Sequence, residues 1–168
     1  MENLIDVLNR ESSEYDKLLE LSEKKTSIIV SSNLEELQKI TDEEQELIGR
    51  INHLEKSRVE VTEDIANVLN KDVTTLKLTN LIDMLSARPA EAAALAEVHD
   101  RLRTSVTMLQ RVNEQNRELL GNALEMVEFE MNLMQAAKTA PETANYNRGA
   151  YSSRDTMGVN RSGFDAKQ

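Results

Sequence analysis

The 168-residue chain is 39% hydrophobic but only 3% aromatic, so any core must be built from aliphatic, methionine and alanine side chains. Five glycines and two prolines are too few for the frequent turns of a β-sandwich or barrel, and the lack of cysteine excludes disulfides and thiolate chemistry. A formal net charge of -10 would repel a phosphate backbone, so we expect no nucleic-acid partner.

The start of the chain and its hydropathy favour a cytoplasmic protein. The first residues, MENLIDVLNRE, are acidic where a secretory signal is basic. No apolar run approaches the roughly 18 residues of a membrane span, so we expect no membrane insertion. Apolar residues instead recur at helical spacing over long segments without turn residues, which predicts an all-α fold.

The first two predicted helices are amphipathic and span residues 3–30 and 33–70. The second begins at Ser32, which with Glu35 has the form of a capping box. Spacings of three and four residues along this helix predict a coiled-coil seam, in which two charged members either set the register or extend their heads to water. One side of the first helix carries Leu4, Leu8, Tyr15, Leu18 and Ile28. The seam of the second contains Leu37, Ile40, Glu44, Leu47, Ile51, Leu54, Arg58, Val61, Ile65 and Val68.

Two more helices are predicted at residues 74–86 and 89–137. Pro89 suits the first turn of a helix, where its missing N–H has no partner to lose. The pattern as a whole predicts a long antiparallel helical hairpin or coiled-coil bundle with a short extra helix, forming a domain over residues 1–137. The seam of the last helix contains Val106, Leu109, Asn113, Asn116, Leu120, Ala123, Val127, Met131 and Met134.

Two asparagines, Asn113 and Asn116, interrupt this apolar seam. An asparagine buried in a coiled-coil seam lowers stability but specifies register and partner number, because only the correct alignment gives its amide a partner. We therefore interpret both as residues that fix the register of the bundle. The alternative is that they mark the point where intramolecular contact ends and a partner protein begins.

The helix after these asparagines is apolar on more than one face. Its apolar side chains cover more than the roughly 100° stripe of an ordinary amphipathic helix, so this surface must be buried somewhere. Either the first two helices cover it, or it receives an amphipathic helix from a partner, for which methionine offers adaptable contacts. The candidate binding residues are Leu120, Leu124, Val127, Met131 and Met134.

Residues 138–168 differ from the rest in composition and are predicted to form a disordered tail. They hold three of the five glycines and have no helical period. Five bases against three acids give the tail a charge of about +2 and leave about -12 on residues 1–137. Because Tyr146, Tyr151 and Phe164 are three of only five aromatic residues, the tail is also a candidate recognition segment.

The sequence contains no familiar catalytic or cofactor motif. His53 and His99 have no carboxylate at the spacing of a di-iron or zinc helix motif, and their contexts, HLEKS and HDRLR, lack the His-x-x-Lys-Gly run of phosphotransfer bundles. There is also no glycine-rich phosphate loop and no nucleophile elbow. We expect a protein that is not an enzyme and that binds no metal or other cofactor.

Two segments resemble the FlgN family of flagellar type III export chaperones. They are ITDEEQELIGRINHLEKSR at 40–58 and VNEQNRELLGNALE at 112–125, and they are followed by a tail with a tyrosine and a glycine. The tails of that family usually contain Tyr-x-x-x-Gly. This chain has Tyr146-x-x-Gly149 and a second tyrosine at Tyr151, so the resemblance leaves open which tyrosine would dock.

The resemblance implies a cytosolic chaperone that holds the hook-filament junction proteins, also called hook-associated proteins, before assembly. It further implies delivery of these clients to the flagellar export gate and its ATPase complex, with Tyr146, Gly149 and Tyr151 as the docking residues of the tail.

Two alternatives remain open at this point. The chain could be a structural coiled coil whose apolar surface is buried in a homo-oligomer, in which case added client would not change its association. It could also be a histidine phosphotransfer bundle, which would carry acid-labile phosphate on His53 or His99.

Overall fold

The computed structural model describes residues 1–73 and 76–139, and among these the regular elements are helical. Helix α1 spans Glu2–Val30, α2 spans Leu34–Leu69, α3 spans Leu78–Met84 and α4 spans Pro89–Thr139, with a 3₁₀ turn at Leu85–Ala87. The predicted all-α class is therefore confirmed, and no strand occurs in the described residues. The predicted tail from residue 140 onward, with Tyr146, Gly149 and Tyr151, lies outside them.

The junction between α1 and α2 corrects the predicted capping box. Ser32 has a φ of 54° and closes α1, because its left-handed conformation lets the Asn33 N–H reach the Ile28 carbonyl at 3.3 Å. A residue in this position is not free to cap the next helix. Asn33 does so instead, and its side chain accepts a hydrogen bond from the backbone N–H of Glu36.

Helix α2 also ends at a residue in the left-handed conformation. Asn70 has a φ of 51°, and the N–H of Lys71 donates to the Ala66 carbonyl at 3.0 Å. Asparagine tolerates this conformation better than most residues, because its short polar side chain bonds locally. The change of direction that the sequence predicts at Asn70 therefore comes from one identifiable residue.

The third helix is shorter than predicted. Residues 74–86 were expected to be helical, but Lys77 is extended with ψ of 153° and α3 begins only at Leu78. The preceding residue, Leu76, is buried among the leucines of α3 and the starts of α1 and α4. This burial fixes Leu76 in the core while the chain there is still non-helical.

Contacts between side chains define the directions of the three long helices. Glu11 of α1 bonds to Arg58 of α2, whereas Lys25, further along α1, bonds to the earlier Glu44, so α1 and α2 are antiparallel. Three of the hydrogen bonds between α1 and α4 join residues separated by 89, 89 and 90 positions, so these two helices run parallel. Residues of α1 and α4 thus pair at a nearly constant offset.

The apolar core is concentrated at one end of this bundle. The largest cluster joins the beginnings of α1 and α4, the end of α2, and α3, and it contains Leu4, Leu8, Ala66, Leu76, Leu81, Leu85, Leu95 and Val98. A smaller cluster further along the bundle contains Leu18, Leu47, Ile51 and Leu109. Beyond the small cluster, the buried residues are of both kinds, apolar at Ile29 and Ile40 and polar at Ser22, Glu44 and Asn116.

The chain divides into two compact units, Met1–Glu128 and Phe129–Gln168. The first contains α1, α2, α3 and most of α4, and the described part of the second is the end of α4, residues 129–139. The division therefore falls inside α4, whereas the sequence placed the end of the helical domain at residue 137.

Candidate functional site

Three sets of polar contacts hold the long helices in register. In the first, Glu11 is only 2% exposed and accepts a hydrogen bond from the Arg58 Nε at 3.0 Å. Burial raises the pKa of Glu11 despite the nearby Arg58 charge, which lowers it, and Glu55 adds to the rise. The neighbouring Tyr15 donates to Glu55 at 3.1 Å, and burial, together with that carboxylate, raises the pKa of Tyr15 to about 12.

The second set consists of polar contacts between α1 and α4. Arg101 donates to the fully buried hydroxyl of Ser12 at 2.8 Å, and its Nε lies 3.6 Å from a carboxylate oxygen of Asp16. The same Asp16 accepts a hydrogen bond from Ser105. These bonds fix which turn of α4 faces which turn of α1, because a shift by one turn would separate all of them.

The third set lies between all three long helices and includes Asn116. This side chain is 4% exposed, donates from Nδ2 to the Ser22 carbonyl at 2.8 Å and accepts from the Thr26 hydroxyl at 2.7 Å. On the other side of α1, Glu44 accepts from Ser22 at 3.3 Å and from Lys25 at 2.6 Å. In this third set, the buried side chains of Asn116, Ser22 and Glu44 therefore all have partners, as burial requires.

The two seam asparagines of the sequence differ in the structure. Asn116 is buried, whereas Asn113 is exposed. The partly buried residue at this turn is Val112, so the observed seam of α4 passes one residue earlier than the predicted one at this point.

The apolar end of α4 begins where α1 ends. With an offset of about 90 residues, Val30 at the end of α1 corresponds to about residue 120 of α4. Leu120 is still partly buried, and every residue from 121 to 138 is exposed. In the first unit the apolar members are Leu124, Met126 and Val127, and in the second unit they are Phe129, Met131, Leu133 and Met134.

These seven side chains are between 52% and 67% exposed. A run of large apolar side chains with this exposure is unusual on a soluble monomer and marks an interaction surface. Four of the five candidate binding residues, Leu124, Val127, Met131 and Met134, belong to it, and Leu120 borders it. Three glutamates, Glu125, Glu128 and Glu130, lie among these apolar side chains, so the surface combines apolar and acidic groups.

The histidines lie apart from this surface. His53 is exposed beside Arg10, Glu46 and Arg50 on an open depression between α1 and α2, and His99 has its Nδ1 3.1 Å from an oxygen of Asp100. Within residues 1–73 and 76–139, no group of three or more histidine or carboxylate side chains could hold a metal ion. The helices of the described chain include none with the length and apolar character of a membrane span.

The profile of one protein family, described as FlgN protein, matches residues 1–153. The chain belongs to the FlgN family. This is a family of flagellar export chaperones rather than of enzymes, and its profile covers all of the described helices and much of the tail. The resemblance noted at two short segments of the sequence is therefore confirmed over most of the chain.

The similarity to a curated relative also extends over most of the chain. The uncharacterized protein YvyG of Bacillus subtilis (strain 168) is 24% identical over 144 residues, which cover 86% of this chain and 83% of that protein. No solved structure matches the chain.

Sequence reasoning missed the small polar residues between the helices, such as Ser12, Ser22 and Ser105. Serine carries no hydropathy signal for burial, and all three are less than 9% exposed. Their positions were nevertheless detectable. Buried or partly buried residues follow spacings of four and three along α1, at Leu4, Leu8, Glu11, Tyr15, Leu18, Ser22, Lys25 and Ile29.

Proposed function

We propose that this FlgN-family chaperone binds hook-filament junction proteins through the exposed end of α4. The observation that supports this most directly is the exposure of Leu124, Val127, Met131 and Met134, which continue a helix seam already used within the bundle. An amphipathic helix of a client would bury these side chains, and each would contribute about 1.5–3 kcal/mol if fully removed from water.

The proposed consequence of binding is that the client stays unassembled in the cytosol. Helices that join neighbouring subunits in a filament are apolar on the joining face, so a free client would associate prematurely. Methionine-rich contacts that rely on adaptable shape favour reversible holding over the tightest possible binding. We further propose that the chaperone delivers its client to the flagellar export gate and its ATPase complex, with Tyr146, Gly149 and Tyr151 of the tail as docking residues.

The acidity of the α4 end favours this function over self-association as a structural coiled coil. Residues 118–137 contain four acids, Glu118, Glu125, Glu128 and Glu130, and no lysine or arginine. Two copies of this segment side by side would place like charges along both edges of the apolar contact, which is unfavourable. A client helix with basic edges has no such conflict.

A double substitution, Val127→Asp with Met131→Asp, tests the assignment. Two aspartates on this face would remove two apolar contacts and bury charge, so we expect the affinity for a purified hook-filament junction protein to fall by about 100-fold or more. Isothermal titration calorimetry measures the affinity, and far-UV circular dichroism measures the helix content. Because both residues are exposed, we expect the helix content to stay within a few per cent, an order-of-magnitude expectation for surface positions.

A matched variant, Gln110→Asp with Gln115→Asp, adds the same charge to exposed positions of α4 upstream. We expect it to bind the client as the unmodified chain does. If the Val127/Met131 variant bound normally, or lost its helix content, the end of α4 would not be the client site.

A further inference from the structure

The end of α4 carries two separate apolar faces rather than one broad one. The first, here called the seam face, consists of Leu120, Leu124, Val127, Met131 and Met134. The second face consists of Met126, Phe129 and Leu133, again at spacings of three and four residues. At 100° per residue the centres of these faces are about 150° apart around the helix. Leu120 apart, the members of both faces are more than half exposed.

Polar residues separate the faces on both sides. Glu125, Glu128 and Asn132 lie between them on one side of the helix, and on the other side Glu130 lies between them together with the small residues Ala123 and Ala137. The four polar residues are exposed. A single partner helix contacts a stripe about 100° wide, so it could not cover both faces without burying these carboxylates.

The two faces differ in the residues that precede them on the same side of α4. The seam face continues the side on which Leu109 and Asn116 are buried against the bundle, and it starts where α1 ends. The second face has no such precedent, since the same side of α4 upstream presents the exposed polar residues Arg111 and Gln115. A helix on the seam face would extend the existing bundle, whereas a helix on the second face would make a new contact.

The charge between the faces indicates the chemistry of the partner. Four acids and no bases occur in residues 118–137, and three of the acids flank the two faces directly. Lysine or arginine at the edges of a partner helix would pair with Glu125, Glu128 or Glu130. A second copy of this segment offers no base for these positions.

We propose that α4 binds two amphipathic helices of one client molecule at the same time, one on each face, with basic residues along their edges. The seam-face helix takes the place that α1 has further up the bundle, and α4 becomes the central helix of a three-helix unit. This inference rests on the proposed function, because it assumes that the end of α4 is the client site.

Site-specific photo-crosslinking in the full-length chain tests the inference. A benzophenone-bearing amino acid replaces Val127 on the seam face, Phe129 on the second face, or Gln115 as a control on the same side of α4 as the second face but about three turns before Met126. The probe is a purified hook-filament junction protein, and mass spectrometry of the crosslinked peptides identifies the segments reached. We expect positions 127 and 129 to crosslink to two different segments of the client, and position 115 to give no client crosslink.

Each other outcome overturns the inference. Crosslinks from both faces to the same client segment would mean that one helix covers α4. Crosslinks from position 129 to a second copy of the chain, or to its own residues 140–168, would assign the second face to another occupant. A client crosslink from 127 without one from 129 would reject the two-helix arrangement and leave the proposed function intact, whereas no client crosslink from either position would reject both.

Discussion

At the scale of single residues, polar side chains between the helices hold the bundle in register, at positions where a hydropathy analysis expects apolar residues. Asn116, Ser22 and Thr26 form two hydrogen bonds between α1 and α4, and their geometry requires one alignment of these helices. Asparagine in such a seam contributes less stability than leucine would, but it distinguishes the correct register from its neighbours. This explains why the polar Asn116 occupies a seam position where the helical repeat predicts an apolar residue.

The pair Asn116 and Asn113 provides a controlled test of that role. Replacing Asn116 by alanine removes its hydrogen bonds with the Thr26 hydroxyl and the Ser22 carbonyl and opens space, so we expect the free energy of unfolding to fall by about 1–3 kcal/mol. Asn113→Ala, three residues away on the exposed side, should change it by less than about 0.5 kcal/mol. Urea unfolding followed by circular dichroism measures both, and equal effects would exclude a special role for Asn116.

Glu11 and Glu14 of α1 predict pH effects of opposite sign. Burial raises the pKa of Glu11, so ionisation costs the folded state more than the unfolded state, and this residue's contribution to stability falls as the pH rises above about 4.5. Hydrogen bonds from Lys17 and Arg50 lower the pKa of Glu14, so its contribution is present above that pH and is lost as the pH falls through the lowered pKa.

Neutral substitutions separate the two cases. Relative to the unmodified chain, Glu11→Gln should become more stable between pH 4 and pH 7, and Glu14→Gln should become less stable over the same interval. Thermal unfolding at these two pH values gives the comparison. If Glu11→Gln instead lost relative stability as the pH rose, the attraction of Arg58 would outweigh burial at Glu11.

At the scale of the elements, the sequence predicted what depends on periodicity and missed what depends on context. The α2 seam was predicted with eight apolar members, and Ile40, Leu47, Ile51 and Leu54 are buried. Its last member, Val68, is 86% exposed, whereas Ala66 in the same turn is buried in the large cluster, so the neighbouring helices cover a different side of α2 there. Periodicity assigns a residue to a face, but only the neighbouring elements decide whether the face is covered.

Helix boundaries show the same limit. Pro89 marks the start of α4 as predicted, since proline restricts its own backbone wherever it occurs. Ser32 did not cap α2, because the end of α1 uses it in a left-handed conformation that the composition of the segment does not reveal. The candidate binding residues could be selected from sequence, because an apolar surface wider than one stripe is itself a periodicity signal. Their exposure depends on where α1 ends, and the sequence does not fix that.

At the scale of the whole molecule, apolar burial decreases along the three long helices. Eight buried residues form the cluster at the start of α1, four form the next, and further along Ile29 and Ile40 are buried together with polar side chains. Residues 121–138 are helical, but none of them is buried. Segments with few buried apolar contacts open most easily, and this suits the proposed role of the surface in accepting and releasing a client.

The measurement that tests the central claim most directly is a comparison of the full-length chain with a version that ends at Leu120. Both are immobilised and exposed to lysate of the source cell, and the retained proteins are identified by mass spectrometry, with circular dichroism to verify that the shorter chain is folded. The account predicts that hook-filament junction proteins are retained by the full-length chain alone. Equal retention by a folded chain ending at Leu120 would contradict it, because the residues that bind the client would then lie within the bundle.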